Sequence, residues 1–337
     1  MRANASQKNR SFLLRILEYE HIIVLLIIPI FLISLLSLAP HETEYWISYI
    51  WVFAVAFFIA LIVNMLGISG ALLFVPFFSV ILPLFGEGFG PGESVIIGLF
   101  TQSFGITSAT LGFFRYGLID MKIVSLSLVA IIPIVILSSC IAFYIPKKIL
   151  FLIICISLFL AIISLVYSKN LIKSIGTEKS DTMTIILHIH TGTPSPAILI
   201  DRFGKVYSYC RCGYKVRVLA HSFGAVLQGI TGSGLGYLGM IGMITSGIPL
   251  KIGIGSNHIV VAVSAIIASI TYFLRSSSSD ILVIPWNVIA ITVPAVIIKA
   301  QLSPYAADRI NIKILERMFL GLLIFLAFYT LYMGVLR

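Results

Sequence analysis

Apolar residues in this chain fall in long runs separated by short polar stretches. A membrane-spanning helix needs about 20 apolar residues. Candidate runs cover 22–39, 47–66, 67–85, 94–114, 122–144, 148–167, 218–235, 236–250, 253–274, 281–300 and 314–334. Two neighbouring pairs, 47–66 with 67–85 and 218–235 with 236–250, meet at glycine-rich stretches. Either member of such a pair can be a half-helix that enters the bilayer without crossing it. One long polar segment, 168–217, interrupts the pattern. Inside it, Ile198-Leu-Ile-Asp201-Arg-Phe-Gly204-Lys-Val-Tyr207 alternates in places, which predicts a β-hairpin turning at Asp201–Gly204.

Composition removes the soluble alternative. Of 337 residues, 59% are hydrophobic and 11% charged, against about 25% charged in a soluble domain; the mean hydropathy is +1.08. The net charge of +10 calls for no nucleic-acid partner, because no basic stripe lies on a soluble domain. Loop orientation accounts for it. Arg2, Lys8, Arg10 and Arg15 precede the first run, segment 168–217 holds eight Lys/Arg against three acids, and 301–317 holds Arg309, Lys313 and Arg317. The loops at 41–45 and 86–93 carry glutamates and no base. Basic loops stay cytoplasmic, so the N-terminus and the 168–217 insert are expected inside a cell membrane, with Lys147 and Lys148 as the exception. Leu38-Ala39-Pro40-His41 offers no clean small-residue cleavage site, so the first run reads as a retained helix.

The chain repeats itself. Gly98-Leu-Phe-Thr101-Gln102-Ser103 matches Gly253-Ile-Gly-Ser256-Asn257-His258, and Arg115 with Asp120 matches Arg275 with Asp280. Gly67-Ile-Ser69-Gly70 matches Gly232-Ser233-Gly234, and Pro133 and Pro294 follow the two aspartates by 13 and 14 residues. The expected fold is therefore an all-α polytopic membrane protein. A basic N-terminus and extra helix (1–46) precede a first repeat (47–167), the polar insert with its β-hairpin (168–217) and a second repeat (218–337). With each glycine-rich pair counted as one span, the copies become parallel; five hydrophobic elements per copy make the second enter from the opposite face. Such inverted repeats, with glycine-broken half-helices, place a site near the midplane where the copies meet.

Broken backbone in a bilayer must face protein or a wet cavity. The freed amides of a restarted helix carry partial positive charge, which suits an anion. Gly67, Ser69, Gly70, Gly232, Ser233 and Gly234 are therefore candidate substrate-binding residues. So are the two polar trios, Thr101, Gln102, Ser103 and Ser256, Asn257, His258, which offer hydrogen bonds without a fixed buried charge. His258 can carry a proton near neutral pH, making protons the candidate coupling ion. Lys251 is a candidate anion entrance. Small residues at the breaks also serve plain close packing, and Arg115 and Arg275 at span ends also fit local ion pairs or snorkelling. Lys299, ending a span, is expected to be an interfacial anchor. His188, His190, Cys210 and Cys212 match no standard zinc spacing; no metal or cofactor is expected. There is no P-loop, Rossmann fingerprint, HExxH or GxSxG, and an enzyme is not expected.

Gly67-Ile-Ser-Gly-Ala-Leu-Leu-Phe-Val-Pro76, Thr101-Gln-Ser103, Gly117-Leu-Ile-Asp120-Met-Lys122, Gly229-Ile-Thr-Gly-Ser-Gly234, Gly247-Ile-Pro-Leu-Lys251 and Lys299–Arg309 occur in an order that resembles the TauE/SafE family of sulfite-exporter-like membrane proteins. The resemblance covers about 47–334 apart from the insert. It departs from the family where the second glycine cluster lacks a following proline, with Met240-Ile241 nearby instead. It implies transport, usually efflux, of sulfur-containing or organic anions. The residues alone imply a small anionic substrate moved by a secondary transporter, with an anion channel and a membrane sensor signalling through the insert as alternatives. They leave the oligomeric state open.

Overall fold

The structure, a computed structural model, describes residues 20–38, 42–66, 69–85, 88–177, 196–278, 283–307 and 312–336. Gly67, His188, His190 and Asp280 lie outside these residues. Helix α1 (Glu20–Leu38) and a short α2 (Thr43–Ile47) precede α3 (Val52–Leu66), α4 (Ala71–Pro76), α5 (Pro91–Tyr116), α6 (Met121–Ala142) and α7 (Lys147–Thr177). Strands β1 (Pro196–Ile200) and β2 (Val206–Cys210) follow, then α8 (Tyr214–Thr231), α9 (Leu235–Thr245), α10 (Leu250–Ser278), α11 (Trp286–Ala307) and α12 (Ile312–Leu336). Large apolar side chains stay exposed along the outer helix faces, among them Phe58, Val129, Ile163 and Phe328. A bilayer takes up such surface at no hydrophobic cost, whereas water does not.

Among the described residues, five stretches are long and apolar enough to cross a membrane: Thr43–Val63, Pro91–Tyr116, Met121–Ala142, Lys147–Tyr167 and Leu250–Ser276. The elements at the glycine breaks are shorter. Helix α4 continues through a π turn, Phe77–Ile81, and a 3₁₀ turn, Leu82–Phe85, giving a helical run of about 22 Å at 1.5 Å per residue; α9, with 11 residues, reaches only about 16 Å. Neither crosses a hydrocarbon core about 30 Å thick.

Helix α9 turns back along α8. A Cβ on Gly242 would meet Ala220 and Arg217, one on Gly239 would meet His221, and one on Gly224 would meet Leu235. The glycines let two backbones approach closely, and Gly213 at the start of α8 lies beside Ser246 at the end of α9. The pair is thus a hairpin that returns to the face it came from. Gly232 and Gly234, at φ +74° and +141°, make the reversal; a side chain at either would be strained.

Several helix contacts occur in matching pairs. Helix α6 packs on α8 as α11 packs on α3, α6 packs on α10 as α11 packs on α5, and α4 packs on α5 as α9 packs on α10. Helices α5 and α10 pair with each other, as do α7 and α12. Across the α8–α6–α10 junction the Tyr272 hydroxyl donates to the carbonyls of Gly229 (3.0 Å) and Ile230 (3.3 Å). Tyr272→Phe should therefore lower stability by about 1 kcal/mol, read as a small drop in melting temperature of the purified protein.

The β-hairpin turns at Asp201–Gly204, where the alternation placed it, with Ile200 opposite Val206. It lies across one face of the bundle. Arg202 N–H donates to Tyr116 O at 3.0 Å, and Leu199, Tyr207 and Tyr209 pack on Ile123, Met243, Ile248 and Ile252. Asp120, 3% exposed, accepts from Tyr209 and Arg211, both at 2.6 Å. Of the two plain readings of Arg115, snorkelling or a local ion pair with Asp120, the second gives way at the acid to a contact 91 residues away. Arg217, buried at the start of α8, donates to the Arg211 and Cys212 carbonyls. The hairpin so ties the α5–α6 turn to the beginning of α8. On the opposite face, Pro83, Gly88, Pro91, Lys147 and Lys148 line a cavity of about 500 Å³.

Candidate functional site where the helix breaks meet

The two short helices begin against each other. A Cβ on Gly236, in the first turn of α9, would stand 2.7 Å from Ser69 N, and one on Gly232 would stand 3.3 Å from Ala71 Cβ. From this meeting point the α4 run leads to Phe85, beside the Lys147 face, and α9 leads to Thr245, beside the hairpin face. Each start is held by the middle member of one polar trio. Gln102 Oε1 accepts from Ala71 N–H at 2.8 Å and from the Ser69 hydroxyl. Asn257 Nδ2 donates to Gly236 O at 2.9 Å, while its Oδ1 lies 3.2 Å from His221 Nε2. Ser69, Gly70, Gln102, Gly232, Ser233, Gly234 and Asn257 thus gather at one place.

Ser233 bonds Ser157 of α7 at 3.1 Å and Thr231 at 3.2 Å. Ser157 in turn bonds the Tyr237 hydroxyl at 2.7 Å. The second break is therefore lined by hydroxyls from three helices. Ser157 and Tyr237 were missed in the sequence, where neither belongs to a repeat match.

The remaining trio members point elsewhere, since successive helix residues are turned by about 100°. Thr101 bonds Thr292 of α11 at 2.7 Å. Ser103 lines a cavity of about 370 Å³ beneath α1. Ser256 accepts from Asp120 N–H at 3.0 Å. His258 lies 4.8 Å from the Phe113 ring, its Nδ1 2.8 Å from Ile254 O. Lys251 opens α10 on the hairpin face, exposed. Lys299 is fully buried, which corrects its reading as an interfacial anchor: Thr292 and Val296 on the same face of α11 meet Thr101 and Gly105 of α5. Cys210 and Cys212 are joined to each other, which takes both thiols out of a zinc set in this structure. Among the described residues no group of three or more His, Cys, Asp or Glu gathers for a metal.

Two more side chains matter. Gln102 Nε2 is buried with no hydrogen-bond partner, and so are both the nitrogen and the oxygen of Gln228, a fully buried residue of α8. The sequence signal for Gln228 was its place seven residues after His221, on one helix face inside an apolar run.

Long apolar helices around two broken segments, with carboxamides and hydroxyls at the breaks, are the construction of a multi-pass membrane transporter. The chain is a member of the sulfite exporter TauE/SafE family, whose model matches residues 52–330, from the first residue of α3 into α12. No curated protein and no solved structure matches it. The matched stretch contains both breaks and both trios and leaves α1 outside. The resemblance read from the glycine clusters and trios is thus established, and with it membrane transport as the activity class.

Proposed function

We propose that this protein is a secondary transporter, acting as an exporter, of a small oxyanion such as sulfite, a sulfonate or another organic anion. The repeats over 47–167 and 218–337 are inverted copies, and the substrate sits where their breaks meet. One observation carries this reading: the α4 run and α9 start in contact inside the bundle and lead to opposite faces. We read the odd element in each copy as a glycine-broken pair, α3 with the α4 run and α8 with α9, that returns to its own face and leaves three crossings. Three crossings reverse the second copy.

Both helix starts direct partial positive charge at one point inside the bundle. Gln102 Oε1 already accepts two donors there, as an oxyanion oxygen does. Rotation of this carboxamide frees the Ser69 hydroxyl and the Ala71 amide for substrate. Alternating access then consists of the two copies rocking about the breaks. The basic residues of its loops support a cytoplasmic location for the β-hairpin face.

The test is sulfite flux into or out of proteoliposomes holding the full-length protein, with and without a pH gradient. Saturable flux is expected. A hydrogen bond to a charged group contributes about 1.5–3 kcal/mol, so Ser69→Ala should raise the half-saturating concentration by about tenfold or more. Saturable flux that Ser69→Ala leaves unchanged would remove the site assignment; no flux of any anion under any gradient would remove the transporter mechanism.

A further inference from the structure

Gln228 is the one fully buried carboxamide among the described residues with neither end partnered. Its direction follows from helix geometry. Arg217, His221 and Gly224 face α9, opposite Gly242, Gly239 and Leu235 respectively. Gln228 continues that stripe, about 20° from Arg217 around the helix axis. It stands one turn beyond Gly224, and α9 begins opposite Gly224. Gln228 therefore lies ahead of the N-terminus of α9, an 11-residue helix. The reversal closes around it: Gly232 N–H donates to Gln228 O at 3.0 Å, and a Cβ on Gly234 would lie 3.3 Å from Gln228 N.

A buried amide with nothing bonded to it is retained against its desolvation penalty. Such a group in front of a helix start is suited to a ligand that pairs both of its ends. Its N–H₂ donates to an anionic oxygen, as do the free amides of α9. Its carbonyl oxygen accepts, and a bare oxyanion has nothing to donate. We propose that Gln228 is a substrate-binding, specificity-determining residue, and that the transported anion carries its own donor, a hydroxyl, an ammonium or the proton of a singly protonated oxyanion. This rests on the anion-transport reading above and narrows its substrate class.

The experiment compares ethanesulfonate with 2-hydroxyethanesulfonate, which differ by one hydroxyl, on the full-length protein. Thermal stabilisation in detergent and flux competition in proteoliposomes are both read, for wild type and Gln228→Met. A site that bonds a hydroxyl rejects the analogue lacking it, so wild type should bind 2-hydroxyethanesulfonate about tenfold or more tightly than ethanesulfonate. Gln228→Met should bring the two within about threefold. Without anions the variant should melt at or above the wild-type temperature, because a partnerless amide is replaced by an apolar group of similar length. A purely structural Gln228 predicts the reverse, a lower melting temperature and an unchanged preference, and that result overturns the assignment. Equal wild-type affinity for the two sulfonates overturns it while leaving anion transport standing. If neither sulfonate, nor sulfite, binds or moves, the anion reading falls and this assignment falls with it.

Discussion

Gly239→Val should yield a protein that melts far below wild type and carries no anion flux. A Cβ at this position overlaps Asn257 Oδ1 and stands 3.0 Å from His221 Nε2 and 3.1 Å from its Cδ2. Neither neighbour can retreat. His221 is fully buried, its Nδ1 2.7 Å from Arg217 O, and Asn257 is held by Gly236 O on its other side. The valine therefore forces α9 away from α8 and α10. Overpacking of a tight core costs about 1–3 kcal/mol, and more when backbone must move. The Asn257–His221 and Asn257–Gly236 bonds add about 1 kcal/mol each when broken. A total on the order of 3–5 kcal/mol is a large part of a typical stability of 5–15 kcal/mol. Gly112→Ala is the control. A Cβ there meets nothing within 4 Å, and alanine is the better helix former, so its melting temperature should match or exceed wild type. Equal melting of Gly239→Val and wild type would contradict the close approach of the three helices.

The helical bundle was legible because a bilayer admits few alternatives. Every amide must be satisfied within the segment, so an apolar run long enough to cross becomes a helix. The half-helices were legible from length and glycine alone, and the hairpin from alternation around Asp201. What the trios did was only half legible. Gln102 and Asn257 reach the breaks, while Thr101, Ser103, Ser256 and His258 fan out to α11, to the cavity under α1, to Asp120 and to Phe113. Adjacency in sequence says nothing about which face of a helix a residue occupies until the partners of that face are known. The same ignorance hid Lys299, whose position at the end of an apolar run looks interfacial until α5 covers it. It also hid the partner of Asp120. A base five residues upstream invites a local ion pair, and the actual partner, Arg211, sits in an insert whose docking no local pattern encodes.

That docking sets up the second large effect, the loss of the hairpin clamp in Asp120→Asn. Asp120 caps α6 by accepting from Lys122 N–H at 3.0 Å, a role asparagine keeps. What asparagine removes is the negative charge facing Arg211 and the Tyr209 hydroxyl. Breaking a fully buried pair costs about 3–5 kcal/mol; Arg211 keeps 22% of its side chain exposed, so about 2–3 kcal/mol is expected here after screening. The pH dependence has a definite sign. Burial by itself raises the Asp120 carboxyl, and the hydrogen bonds from Arg211 and Tyr209 outweigh it, so the group titrates below its ordinary value. A carboxylate depressed in the folded state stabilises the protein above its unfolded pKa of about 3.9, and the stabilisation disappears as pH falls through the lower, folded value. Wild type should therefore melt several degrees above Asp120→Asn from pH 5 to 8. Below about pH 4 the two melting curves should converge. With the clamp loosened, the hairpin over 196–213 should also be cut faster by added protease at neutral pH. Curves that stay parallel down to pH 3 would mean that the Asp120 charge does not hold the hairpin, and that the apolar contacts of Leu199, Tyr207 and Tyr209 hold it on their own.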